Sequence, residues 1–175
     1  MAYHRFQRTI LMISLGVIFL LVILLSLAYH QNKAIERDIV IQYAIEQKFL
    51  LTNLDEALKN KDNPEVFIRE LIMANGILYH NIKTTGNGTP IGQHGNIPWN
   101  LFYLNQHGLG LVNSLIFKAI NSNVNNETVS DLEEFRDMLY RVVEEIDYNT
   151  LLNKNSKEIY NALIRASKVI EETNK

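Results

Sequence analysis

The hydropathy pattern opens with an unbroken apolar run. Residues 9–29, TILMISLGVIFLLVILLSLAY, carry no charge. Coiled as a helix, these 21 residues extend about 31 Å, enough to cross a hydrocarbon core of roughly 30 Å. Arg5 and Arg8 precede the run, and His30, Lys33 and Arg37 follow it. Tyr3, Phe6 and Tyr29 fall near its ends, where amphipathic rings settle at a membrane interface. The pattern predicts a short basic tail over 1–8 and a transmembrane anchor over 9–29, in contact with membrane lipid. A cleaved signal segment is the alternative, since Ser26-Leu27-Ala28 offers small residues for cleavage after Ala28. The run is longer than the h-region of about 7–15 residues that such segments carry. A buried soluble helix is the remaining reading. Lysine and arginine tally evenly on the two sides, and the short tail with its free amine places the N-terminus inside. Residues 30–175 are then expected outside the cell membrane, anchored or, if cleaved, secreted.

Beyond residue 29 the period becomes that of amphipathic helices, and the fold class reads as all-α. No Gly or Pro occurs from Val17 to Asn63, so a long helix over 30–62 is expected to continue from the membrane. Val40, Tyr43, Ala44, Gln47, Leu51, Leu54 and Leu58 mark one face, and Ile41, Ile45 and Phe49 a second stripe. Asn63 then Pro64 is an N-cap followed by the favoured first helical residue. The next helix runs to about Ile82 on Phe67, Ile68, Leu71, Ile72, Leu78 and Tyr79. After a Gly/Pro loop over 83–98, with room for a short β-hairpin, Leu101, Leu104, Leu111, Leu115 and Ile116 mark another helix. Gly108 and Gly110 interrupt it and imply a kink or a close approach by another backbone. Ser130 with Glu133 reads as a capping box before Leu132, Phe135, Leu139, Val142 and Ile146; Asn155 with Glu158 repeats it before Ile159, Leu163, Ala166 and Ile170. Residues 63–175 are thus predicted to complete a four- to five-helix bundle.

Composition changes this picture in one place. From Leu71 to Asn126, 56 residues contain no Asp or Glu, only Lys83 and Lys118 are charged, and eleven Asn fill part of the gap. The segment reads either as the inner layer of the bundle, with Asn at turns and caps, or as a neutral surface that meets a partner. Elsewhere the numbers are ordinary: 47% hydrophobic, 21% charged and a net charge of −2. That charge excludes no fold but gives no basic patch for nucleic acid. The absence of cysteine rules out disulfides, thiolate metal sites and thiol catalysis.

The loop KTTGNGTPIGQHGNIPW (83–99) is the natural place to look for chemistry. It has no phosphate-loop lysine motif, and Pro90 removes a backbone donor from GNGTPIG. His80, His94 and His107 bracket it and are weak metal candidates: their spacings match no ligand motif and no carboxylate is nearby in sequence. No paired carboxylates or nucleophile motif is evident, so neither a cofactor nor catalysis is expected. A candidate contact or ligand surface gathers Tyr79, Gly86, Gly88, Gly92, His94, Trp99, Phe102 and Tyr103. An anchor followed by a helical bundle is similar to the outer sensing domains of chemoreceptors and sensor kinases, which add a second span and a signalling domain. Three functions are therefore expected in order: a structural or interaction subunit of a cell-envelope assembly, with a protein partner or self-association; an extracytoplasmic ligand-binding or sensing module; and a histidine-based metal protein or enzyme.

Overall fold

The computed structural model of the 175-residue chain describes the backbone of residues 2–85, 97–121, 124, 126–147, 150 and 153–173. Five helices, and no strand, form among the described residues: α1 (Ala2–Lys59), α2 (Pro64–Thr85), α3 (Trp99–Ile120), α4 (Asn126–Ile146) and α5 (Ser156–Thr173). The chain divides into two compact units, Met1–Ile35 and Glu36–Lys175.

In the first unit the helix is apolar on every side. Leu11 to Leu25 expose their side chains all round, and the most apolar window, of mean hydropathy 2.9, has none of its surface buried. This helix is long and apolar enough to cross a membrane. The reading of residues 9–29 as a soluble helix buried in the domain core is thereby corrected. At the C-terminal end of the run, the Lys33 ammonium lies 6.0 Å from the centre of the Tyr29 ring.

In the second unit, the C-terminal part of α1 packs with α2 to α5 around a single core. Helix α2 pairs antiparallel with α3, and α4 with α5, while α3 also touches α4 and α5. The caps explain why the elements start where they do. Asn63 Oδ1 accepts the Val66 N–H at 3.4 Å, so the Asn-Pro pair opens α2 as expected. At α5 the box is complete: Asn155 Oδ1 accepts from the N–H groups of Lys157 and Glu158 at 3.1 Å, and Asn155 N–H donates to Glu158 Oε2 at 2.8 Å. The same reading of Ser130 is corrected, because α4 begins at Asn126 and Ser130 lies inside the helix. Helix α2 likewise runs past Ile82 to Thr85, with no glycine or proline between Ile82 and Gly86 to stop it. Residues 86–96 of the loop, with Gly86, Gly88, Gly92, His94 and the expected hairpin, lie outside the described residues.

The apolar stripes of α4 and α5 are buried as predicted: Leu132, Phe135, Leu139, Val142, Ile146, Ile159, Leu163, Ala166 and Ile170 all lie in the core. On α1 the second stripe fails at Phe49, which is exposed, and Leu50 and Ala57 complete the buried face instead. Ile72 and Tyr79 of α2, expected among its core positions, also face outward.

The two glycines of α3 have different reasons. A Cβ on Gly108 would lie 2.2 Å from Cζ of Phe135, so α3 and α4 approach through a ring seated on a bare backbone. The close neighbour is thus an aromatic side chain. Nothing lies within 4 Å of a Cβ on Gly110. Gly108→Ala must push a buried ring aside and is expected to destabilise the domain by about 1–2 kcal/mol, overpacking of roughly 1–3 kcal/mol offset by alanine's helix preference. Gly110→Ala has only the preference and is expected to stabilise by up to about 1 kcal/mol. Thermal or denaturant unfolding of the two variants checks the opposite signs.

Candidate functional site

Helix α3 is central, and its most unusual residue is Asn105, a fully buried amide. Its Oδ1 accepts from Gln47 Nε2 of α1 at 3.0 Å and from Asn81 Nδ2 of α2 at 3.5 Å. Its Nδ2 donates to the Tyr43 hydroxyl at 2.8 Å and to the Leu101 carbonyl at 2.7 Å. Gln47 and Asn81 are fully buried, and Tyr43 nearly so. One amide therefore fixes the register of three helices, because a buried polar group without a partner costs about 1–3 kcal/mol. Burial pushes the Tyr43 phenol well above the usual tyrosine range, against a lowering contribution from its hydrogen bond with Asn105. Four hydrogen bonds meet on Asn105, so the cluster positions the three helices against one another.

On another side of α3 a cleft of about 720 Å³ opens between α3, α4 and α5. Tyr103, Leu104, His107 and Leu111 line it from α3, Phe135 and Met138 from α4, and Ile170 from α5. Asp131, Glu134 and Glu171 stand at its polar edge together with Asn100. Asn100 Nδ2 donates to Glu171 Oε1 at 2.7 Å, joining the start of α3 to the end of α5. Trp99 stacks on Tyr103 with centroids 5.6 Å apart and planes 27° apart, and packs edge-on against Phe102 at 5.3 Å. Both Trp99 (50% exposed) and Tyr103 (58%) remain open to solvent.

A second surface follows the acid-free segment. Ile72, Met73 and Tyr79 of α2 and Gln106, Asn113, Ser114 and Phe117 of α3 are exposed and uncharged. Phe117 is 72% exposed. Asn75 Nδ2 donates to Asn113 Oδ1 across the helix pair at 2.7 Å. Asparagine was expected at turns and caps, yet Asn75, Asn81, Asn100, Asn105 and Asn113 all bridge helices. Among the described residues, Asn121 has the expected role, with Nδ2 donating to the Phe117 carbonyl at the end of α3.

The structure does not unite the candidate metal ligands that it describes. His80 meets Glu46 Oε2 through Nδ1 at 2.9 Å, whereas His107 lies edge-on to Phe135 at 6.3 Å and faces the cleft. Among the described residues no three His, Asp or Glu side chains cluster as a metal site. Of the aromatic candidates, Tyr103 lines the cleft and Trp99 and Phe102 adjoin it, while Tyr79 lies under Lys83 Nζ at 5.4 Å. Sequence reading missed the α4 and α5 walls: Asp131 and Glu134 look like an ordinary solvated helix face until α3 is set beside them.

No family model, curated protein or solved structure matches the chain.

Asn105→Ala takes a hydrogen bond from each of Tyr43, Gln47 and Asn81 and leaves a void, with an expected loss of about 2–4 kcal/mol in unfolding free energy. Tyr43→Phe removes one acceptor and should cost about 1–3 kcal/mol at neutral pH. The folded state holds the Tyr43 proton more tightly than the unfolded chain. Its contribution is therefore complete below about pH 10 and is lost as pH rises further. Thermal melts across alkaline pH should fall more steeply for the parent than for Tyr43→Phe; equal slopes would contradict the assignment.

Proposed function

We propose that this chain is a single-pass membrane-anchored interaction subunit of a cell-envelope assembly, with no catalysis of its own. In this reading residues 9–29 are retained in the cell membrane, the N-terminus is inside, and the helical domain meets a protein partner outside. The observation that carries it is the acid-free exposed side of α2 and α3, where Ile72, Met73, Tyr79 and Phe117 face outward. Exposed apolar side chains on a surface depleted in charge are the compositional mark of an interface core. The fully exposed apolar window of α1 supports the anchor.

A second reading, a ligand-binding module, is favoured by the α3/α4/α5 cleft with Tyr103 in its wall. A cavity bounded by apolar and aromatic groups, with a few polar ones at its edge, is the usual form of a small-molecule site.

The leading reading is tested by placing a photoreactive amino acid at Met73 or Phe117 of the full chain in its native membranes. The expected result is a covalent adduct larger than the monomer from these positions, none from Arg141, and retention of the uncleaved chain in the carbonate-washed membrane. Monomer alone from both positions overturns the interaction surface. Release of a product beginning after Ala28 overturns the anchor.

A further inference from the structure

Ion pairing in the helical domain is uneven. Asp55 and Asp137 meet Arg136, Glu145 meets Arg165, Glu70 meets Arg69, Glu56 meets Lys59 and Asp147 meets Lys154. Among the described residues, Asp131, Glu134 and Glu171 form no ion pair, and all three edge the same cleft. No lysine or arginine lines that cleft. Asn100 orients Glu171 but is neutral and leaves its charge in place. The carboxylates come from two different helices and line one cleft. They border an apolar and aromatic hollow whose volume of about 720 Å³ falls within the roughly 300–1,000 Å³ that takes drug-sized molecules. A bare metal ion does not fit this arrangement, because no three ligating side chains converge among the described residues.

We propose that the cleft binds an organic cation with an apolar body, an alkyl- or arylalkylammonium. The body lies against Leu104, Leu111 and Met138, and the ammonium sits at the edge that Asp131, Glu134 and Glu171 line. The Tyr103 ring, backed by Trp99, offers a π face to the same positive end. Negative charge at the opening excludes carboxylates of similar shape. The proposal rests on the ligand-binding reading of this cleft and adds the chemical class of what it takes.

Trp99, the only tryptophan of the chain, supplies the signal. The full chain in a non-ionic detergent is titrated with phenylbutylamine, phenylbutanol and phenylbutyrate while Trp99 fluorescence is followed. The amine should give a saturable change, with the alcohol roughly fivefold weaker and the acid weaker again, as expected for desolvated but open charge contacts. Added salt should narrow the gap. Asp131→Asn combined with Glu134→Gln, both exposed positions, should reduce amine binding to the alcohol's level, leaving alcohol binding and the melting temperature unchanged. Equal binding of all three probes overturns the cation preference and leaves a general apolar site standing. No saturable response to any probe overturns the site itself, and the ligand-binding reading with it.

Discussion

The domain depends on a polar group in an apolar place. Asn105 joins α3 to α1 and α2 by hydrogen bonds that hold only in one register. Burial of Leu50, Leu54, Leu71, Leu78, Leu101 and Leu115 supplies the drive to collapse, but leucines tolerate sliding. The amide does not, since a shift of one turn would leave several buried donors and acceptors unmatched. Gln47 Oε1 has no hydrogen-bond partner among the described residues, so the cluster already runs close to that limit. Correct docking of α3 against α1 and α2 sets the direction of its other sides, where Gly108 receives Phe135 and the cleft opens.

The two helix pairs are held by different chemistry. Between α2 and α3 the polar links are amides, as in Asn75 to Asn113 and Asn81 to Asn105. Where α4 meets its neighbours the links are charged: Arg136 reaches Asp55 of α1 at 3.0 Å, and Arg165 of α5 reaches Glu145 at 3.3 Å. Those ion pairs are partly solvated and contribute little. The buried stripe from Leu132 to Ile146 does most of the holding there. This division explains the acid-free segment physically: α2 and α3 replace charge with amides where they are buried and where they face outward.

How much of this was legible in the sequence varied with how local the cause was. The long apolar helix is a property of one unbroken run, and the Asn63-Pro64 start and the Asn155 capping box depend on neighbours within a turn, so all three were readable from residues alone. The α4 and α5 stripes were readable because their single buried face matches the helical period. Phe49, Ile72 and Tyr79 were misassigned to buried faces, because apolar character says nothing of which side lacks a neighbour. Ser130 satisfied a cap pattern that the chain does not use, since helix α4 was already under way from Asn126. The role of Asn105 was hidden, as its partners lie 24 to 62 residues away. The same distance concealed the cleft, whose walls come from three helices.

That long reach also orders events during synthesis. Tyr43 and Gln47 are made early, yet the amide they bind follows 62 and 58 residues later. The α4–α5 pair, by contrast, closes over the connection 147–155, with Asp147 in the left-handed conformation at φ 50°. Loop closure is therefore cheap at the C-terminal end and costly for the joint that sets the register. Until residue 105 has left the ribosome, this side of α1 carries polar groups whose final partner does not yet exist. The helix that bears the apolar run thus waits on a chain segment far downstream before its other end can settle.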